Sequence, residues 1–86
     1  MQTETDPKAI ACGARIAQAR IAAGHLTASA FARRVLDIDP ATLWMYENGK
    51  RTPRAEVFVR IAQALNVSVD WLLTGEGQGP ASSEAS

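Results

Sequence analysis

Apolar residues fall in short periodic clusters along the chain, and a residue able to cap a helix stands just before each cluster. Asp6-Pro7 places a side-chain acceptor at a helix N-cap, with proline next, where its missing N–H removes no bond. The Ala-rich segment KAIACGARIAQARIAAG then predicts a first helix, with Gly24 able to close it in the left-handed region. Gly13 weakens the middle of this stretch, which moves the expected start toward Cys12 or Ala14.

Thr27 is the expected cap of a second helix, ASAFARRV. Ala28, Phe31, Ala32 and Val35 share one face of it, and Arg33 and Arg34 are left to solvent. Asp39-Pro40 repeats the opening signal for a third helix, ATLWMYE, stopped at Asn48-Gly49. Thr52-Pro53 repeats it for a fourth, RAEVFVRIAQAL, with Val57, Ile61, Ala64 and Leu65 at helical spacing and Asn66 at its end. Ser68 caps a last short helix, VDWLLT, with Asp70 near its positive end and Gly75 after it. The pattern predicts an all-α domain of five helices over 13–75. Residues 1–12 are read as an N-terminal extension or the start of the first helix. The segment EGQGPASSEAS, 76–86, lacks apolar periodicity and is read as a mobile tail. Spacing alone assigns Ile16, Phe31, Leu43, Val57, Ile61, Leu65, Val67, Trp71 and Leu72 to the core.

Composition adds limits. With 86 residues the chain fits one domain, and 47% hydrophobic with 21% charged residues is a globular mixture. Cys12 is the single cysteine, which excludes an intrachain disulfide and a zinc site of several thiolates and suits a reducing cytoplasm. No apolar run approaches the ~20 residues of a membrane span, and MQTETDPK is too polar for a signal peptide, so a cytoplasmic protein is expected. The one histidine, His25, sits beside Gly24 in a turn. No paired carboxylates, nucleophile with a nearby base, or Gly-rich phosphate loop accompanies it, so neither catalysis nor a metal or cofactor is expected. Formal net charge is zero, which argues against a strongly basic nucleic-acid binder. Yet Glu4, Asp6, Glu76 and Glu84 lie in the flanks, whereas Arg15, Arg20, Arg33, Arg34, Lys50, Arg51, Arg54 and Arg60 fall between Gly13 and Gly75. The folded part is mildly basic.

Four motifs occur in order: RIAQAR at Arg15 to Arg20, LTASAFA at Leu26 to Ala32, YENGKRTP at Tyr46 to Pro53, and VSVDWLLTG at Val67 to Gly75. Together they resemble the lambda-repressor/Cro-like helix-turn-helix family, of the xenobiotic-response-element type. The resemblance implies a five-helix lambda-repressor-like DNA-binding domain, with the helix-turn-helix formed by helices 2 and 3. It implies a sequence-specific transcriptional regulator, a repressor by expectation and nucleoid-associated. Such a protein binds double-stranded DNA as a homodimer, helix 3 (about 40–47) lying in the major groove. Two features depart from the family pattern. Leu36 and Asp37 stand where the inter-helix turn usually carries glycine, and the turn is one residue longer; Ala28 replaces a glutamine that helps hold phosphate.

On helix 3, Ala41, Trp44, Met45 and Asn48 turn outward, with Thr42 at the flank, and these are the base-reading candidates. Of them only Asn48 has the bidentate chemistry of adenine recognition; Ala41, Met45 and Trp44 suit thymine methyls. Trp44 equally fits a protein contact, which keeps open a protein-interaction module on the same fold, with a partner held through Trp44 and Met45. Phosphate candidates are Thr27, Asn48, Lys50, Arg51 and Arg54. The resemblance also implies a partly buried ion pair between Arg20 and Glu47. Trp71, Leu72 and Leu73 exceed what a short terminal helix can bury, and are the dimer-contact candidates.

Overall fold

The computed structural model describes residues 6–80. Among them the chain forms helices and no strand. Helix α1 spans Pro7–Ala22, and Asp6 caps it by accepting the Lys8 amide at 3.0 Å. The helix therefore starts at Pro7 and not near Cys12 or Ala14. Gly13 does not interrupt it, because this glycine is where α1 crosses the end of the third helix. A Cβ built there would stand 2.3 Å from the Tyr46 carbonyl oxygen and 2.7 Å from that of Glu47.

Helix α2, Ala28–Ala30, runs directly into a π-helical segment, Phe31–Leu36. A π turn spaces equivalent positions about five residues apart rather than four. The core partner of Phe31 is accordingly Leu36, 1% exposed, and not Val35, which is 43% exposed. The apolar face expected from regular helical spacing is thus wrong by one residue. The chain then leaves through Asp37 in the left-handed region (φ 58°, ψ 48°), and the Ile38 amide reaches back to the Ala32 carbonyl at 2.9 Å.

Helix α3 spans Pro40–Glu47, with the Asp39 carboxylate accepting from the Ala41 amide at 2.8 Å. Helix α4, Ala55–Leu65, begins two residues later than the Thr52-Pro53 signal implies: Arg54 holds the N-cap position and Pro53 is buried in the preceding loop. Its inward face is Phe58, Ile61, Ala62 and Leu65, while Val57 and Ala64 pack at the edge of the core. Both faces contain Ile61 and Leu65, so spacing alone could not separate them. Asn66 closes the helix with φ 59°. Helix α5, Val69–Thr74, is capped by the Ser68 hydroxyl, which accepts from the Trp71 amide at 3.0 Å.

Helix α1 is central and packs against α3, α4 and α5. Ile16, Phe31, Leu36, Leu43, Ile61 and Leu72 are the large, fully buried side chains of the core. Burying such a side chain contributes roughly 1.5–3 kcal/mol. Trp71 is only partly buried against this core. The segment expected as a tail does not leave the domain at residue 76. Gln78 accepts from the Ser68 amide at 2.9 Å, the Gly79 backbone lies against the Trp71 indole, and Pro80 is buried. The rest of that segment, 81–86, and residues 1–5 lie outside the described residues.

Candidate nucleic-acid interface

Helix α3 is held by Leu43 and Tyr46, which point into the core from one side. A rotation of ~100° per residue then carries Ala41 and Trp44 to the opposite side. Ala41 is exposed, Trp44 is 56% exposed, and Thr42 and Met45 are half-buried on the flanks. The outward surface is apolar. It can meet thymine methyls or another protein, and it holds no Arg, Lys or Gln for bidentate base contacts.

Asn48 sits at the C-cap, and its side-chain amide donates to the Trp44 carbonyl at 2.9 Å. The same carbonyl also accepts the Asn48 backbone amide at 3.0 Å. The side-chain bond uses one hydrogen of the NH₂, and the second hydrogen and Oδ1 stay available to a base edge or a phosphate. Asn48 ends α3 at the edge of the helix's outward apolar face. Gly49 follows with φ +72°, and a Cβ on it would stand 2.8 Å from Ile10 Cα, so the turn is pressed onto the start of α1.

That turn delivers Lys50 and Arg51 to solvent. Both are exposed, and neither side chain has a hydrogen bond or ion pair among the described residues. Arg54 is likewise exposed, at the N-cap of α4, where the positive helix end disfavours a cation unless an anion joins it. Thr27 is exposed, and its hydroxyl makes no cap hydrogen bond, leaving it and the first amides of α2 available. These groups have the chemistry of anion contacts.

Behind the surface lies a bidentate ion pair. Arg20 Nε donates to Glu47 Oε2 at 2.7 Å and Nη2 to Oε1 at 3.2 Å. Nη1 donates to the carbonyls of His25 and Leu26, at 2.7 and 3.1 Å. One guanidinium therefore ties α1 to the end of α3 and to the turn before α2. His25 is half-buried with its ring against Phe31, centroids 4.7 Å apart, rather than free in solvent.

Two arginines act on helix ends in ways the sequence does not announce. Arg15 Nη1 donates to the Leu72 carbonyl at 3.0 Å, at the end of α5. Arg60, on α4, donates to the Leu36 carbonyl at the end of the π-helical segment. Helical spacing marks these residues only as polar positions, and the carbonyls they meet are far away in the chain.

The proposed dimer contacts separate. Leu72 is fully buried and is a core residue, Trp71 is partly covered by 77–80, and Leu73 alone stays 47% exposed. Cys12 is buried, and desolvation raises its thiol pKa above the ordinary 9.0, with Arg15 pulling in the opposite direction. Among the described residues no His/Cys/Asp/Glu group could hold a metal, and no helix is long and apolar enough to cross a membrane.

The model of the helix-turn-helix family matches residues 16–72. No curated protein matches the chain. Among solved structures, the chain is similar to the P22 c2 repressor in complex with a synthetic operator, with TM-score 0.66 and 23% identity over 76% of this chain and 96% of that one. It is similar to the clp gene regulator ClgR from C. glutamicum, with TM-score 0.68 and 25% identity over 79% and 86% of the two chains. It is also similar to the restriction-modification controller protein C.AhdI from Aeromonas hydrophila, with TM-score 0.67 and 23% identity over 76% and 91%. The chain belongs to the lambda-repressor/Cro-like helix-turn-helix family, and is by that membership a DNA-binding transcription regulator rather than an enzyme.

Proposed function

We propose that the chain is a sequence-specific repressor that binds duplex DNA as a homodimer, each subunit laying α3 in the major groove. The observation that carries this reading is the placement of Lys50 and Arg51, exposed and without partners among the described residues, directly after a helix whose outer face is free. Thr27 with the first amides of α2 supplies a further anion contact, and Arg54 joins the basic loop. These phosphate contacts set register, while Ala41, Thr42, Trp44 and Met45 read apolar base edges, thymine methyls above all. The operator-bound P22 c2 repressor supports the same use of the fold. Leu73 is the remaining candidate for the contact between subunits.

A second reading rests on Trp44. Its large apolar exposure, with Met45 beside it, fits an anchor for another protein on the same scaffold. Selection of random duplexes by the purified protein at two salt concentrations tests both. Enrichment of a two-fold symmetric site with a steep salt dependence supports the regulator. Weak, uniform retention without enrichment overturns it in favour of the protein-interaction module.

A further inference from the structure

The chain between α2 and α3 runs through a π-helical segment, Phe31–Leu36, which takes up one residue more than a regular helix would before the turn. Leu36 thereby reaches the core position that a regular helix would give to Val35. A π segment is rare and holds its shape only where surrounding contacts favour it. Its exit is fixed at three points. Asp37 turns the chain in the left-handed region, the Ile38 amide returns to Ala32, and Arg60 from α4 donates to the Leu36 carbonyl. Two residues beyond Asp37, Asp39 caps α3. The direction in which α3 leaves the turn is thus set by the orientation of the Leu36 peptide, and Arg60 is the side chain that holds this peptide from outside the turn.

The geometry points to Arg60 as a positioning residue for sequence recognition: by fixing the end of the π-helical segment, it sets the angle at which α3 is presented to DNA. This assignment rests on the reading of α3 as the element that enters the major groove. Arg60 need not touch DNA to act in this way. Losing one charge-assisted bond leaves the carbonyl to water and frees the turn to sample neighbouring angles, so the contacts of α3 with base edges weaken while phosphate contacts persist. A hydrogen bond of ordinary net strength corresponds to a loss of about three- to tenfold in the ratio of specific to non-specific affinity.

The test compares wild type, Arg60→Met, Arg60→Lys and a deletion of Val35. Each is selected on random duplexes, then titrated on the wild-type best site and on a scrambled duplex. Arg60→Met is expected to lower the specific-to-scrambled ratio about three- to tenfold, with non-specific affinity nearly unchanged. Arg60→Lys, which keeps charge and a donor but not the planar fork, is expected to fall between. Deleting Val35 shortens the π-helical segment by one exposed residue, lets the helix close regularly, and is expected to change the preferred sequence. An unaltered ratio in Arg60→Met overturns the assignment, as does a Val35 deletion that selects the wild-type site with wild-type preference. Should Arg60→Met not fold, Arg60→Lys decides: a reduced ratio supports the assignment and a wild-type ratio overturns it. A wild-type protein that enriches no sequence overturns the major-groove reading itself, and this assignment falls with it.

Discussion

Gly13 meets Tyr46 at the crossing of α1 and α3, so closely that a Cβ on the glycine would stand 2.3 Å from the Tyr46 carbonyl oxygen. Alanine is the better helix former by about 1 kcal/mol. Here that gain is overruled, because the obstacle is backbone and the two helices must separate. Gly13→Ala is expected to destabilise the domain by about 1–3 kcal/mol, lowering Tm by roughly 4–8 °C per kcal/mol. Thermal melting checks it, and an equal or higher Tm would show that the crossing relaxes.

Arg20 spends all three guanidinium nitrogens on Glu47 and on the turn carbonyls of His25 and Leu26. Glu47→Gln leaves a buried cation without its carboxylate, and Arg20→Met leaves the converse. Each is expected to cost about 3–5 kcal/mol. The double variant should recover part of the loss, and urea unfolding of the full cycle measures how much. Simple addition of the two losses would contradict coupling.

Lys50 and Arg51 are exposed and have no side-chain partner among the described residues, so changing both to alanine should leave folding stability nearly untouched. If both meet phosphates, log K against log salt should flatten by roughly 0.9 per lost contact, on all duplexes alike. An unchanged slope removes them from the DNA contact.

Trp44→Ala should leave that slope alone. Loss of a base contact would change the selected sequence and weaken the preferred site by about 1–3 kcal/mol. Retained sequence preference with loss of subunit or partner association, followed by sedimentation, would assign the indole to protein contact instead.

Cys12 gives a pH dependence of known sign. Its folded pKa is raised by burial, so the folded state favours the thiol over the thiolate. The stability it contributes is complete below about pH 9 and drains away as pH rises through the folded value. Urea melts at pH 8 and pH 10 should therefore show a larger alkaline loss for wild type than for Cys12→Ala. Parallel losses would mean that the thiol titrates alike in both states.

Much of the fold was legible because its helix starts are local chemistry. Asp6, Asp39 and Ser68 each accept an amide from within the first turn that follows them, and such pairs need nothing from the rest of the chain. Thr52-Pro53 carried a similar signal, but the helix opens two residues later, with Arg54 at the N-cap and Pro53 buried in the loop before it. Periodicity failed at Val35 for a different reason: reading at 3.6 residues per turn presupposes the α-helix, and the π segment breaks that premise without leaving a mark in composition. The outward placement of Ala41 and Trp44 followed from the angle per residue alone. The engagement of the Asn48 amide did not, because a C-cap asparagine and a base-reading asparagine look the same in sequence.

Helical patterning stops at Gly75, but the polypeptide continues to serve the domain. Gly79 lies against the Trp71 indole, the Gln78 carbonyl accepts the Ser68 amide, and Pro80 is buried. Truncation at Gly75 would peel this cover away and wet one side of the ring that closes the bundle. The smallest cooperative unit therefore reaches at least to Pro80, and a fusion or cleavage site does not belong at the last turn of helix.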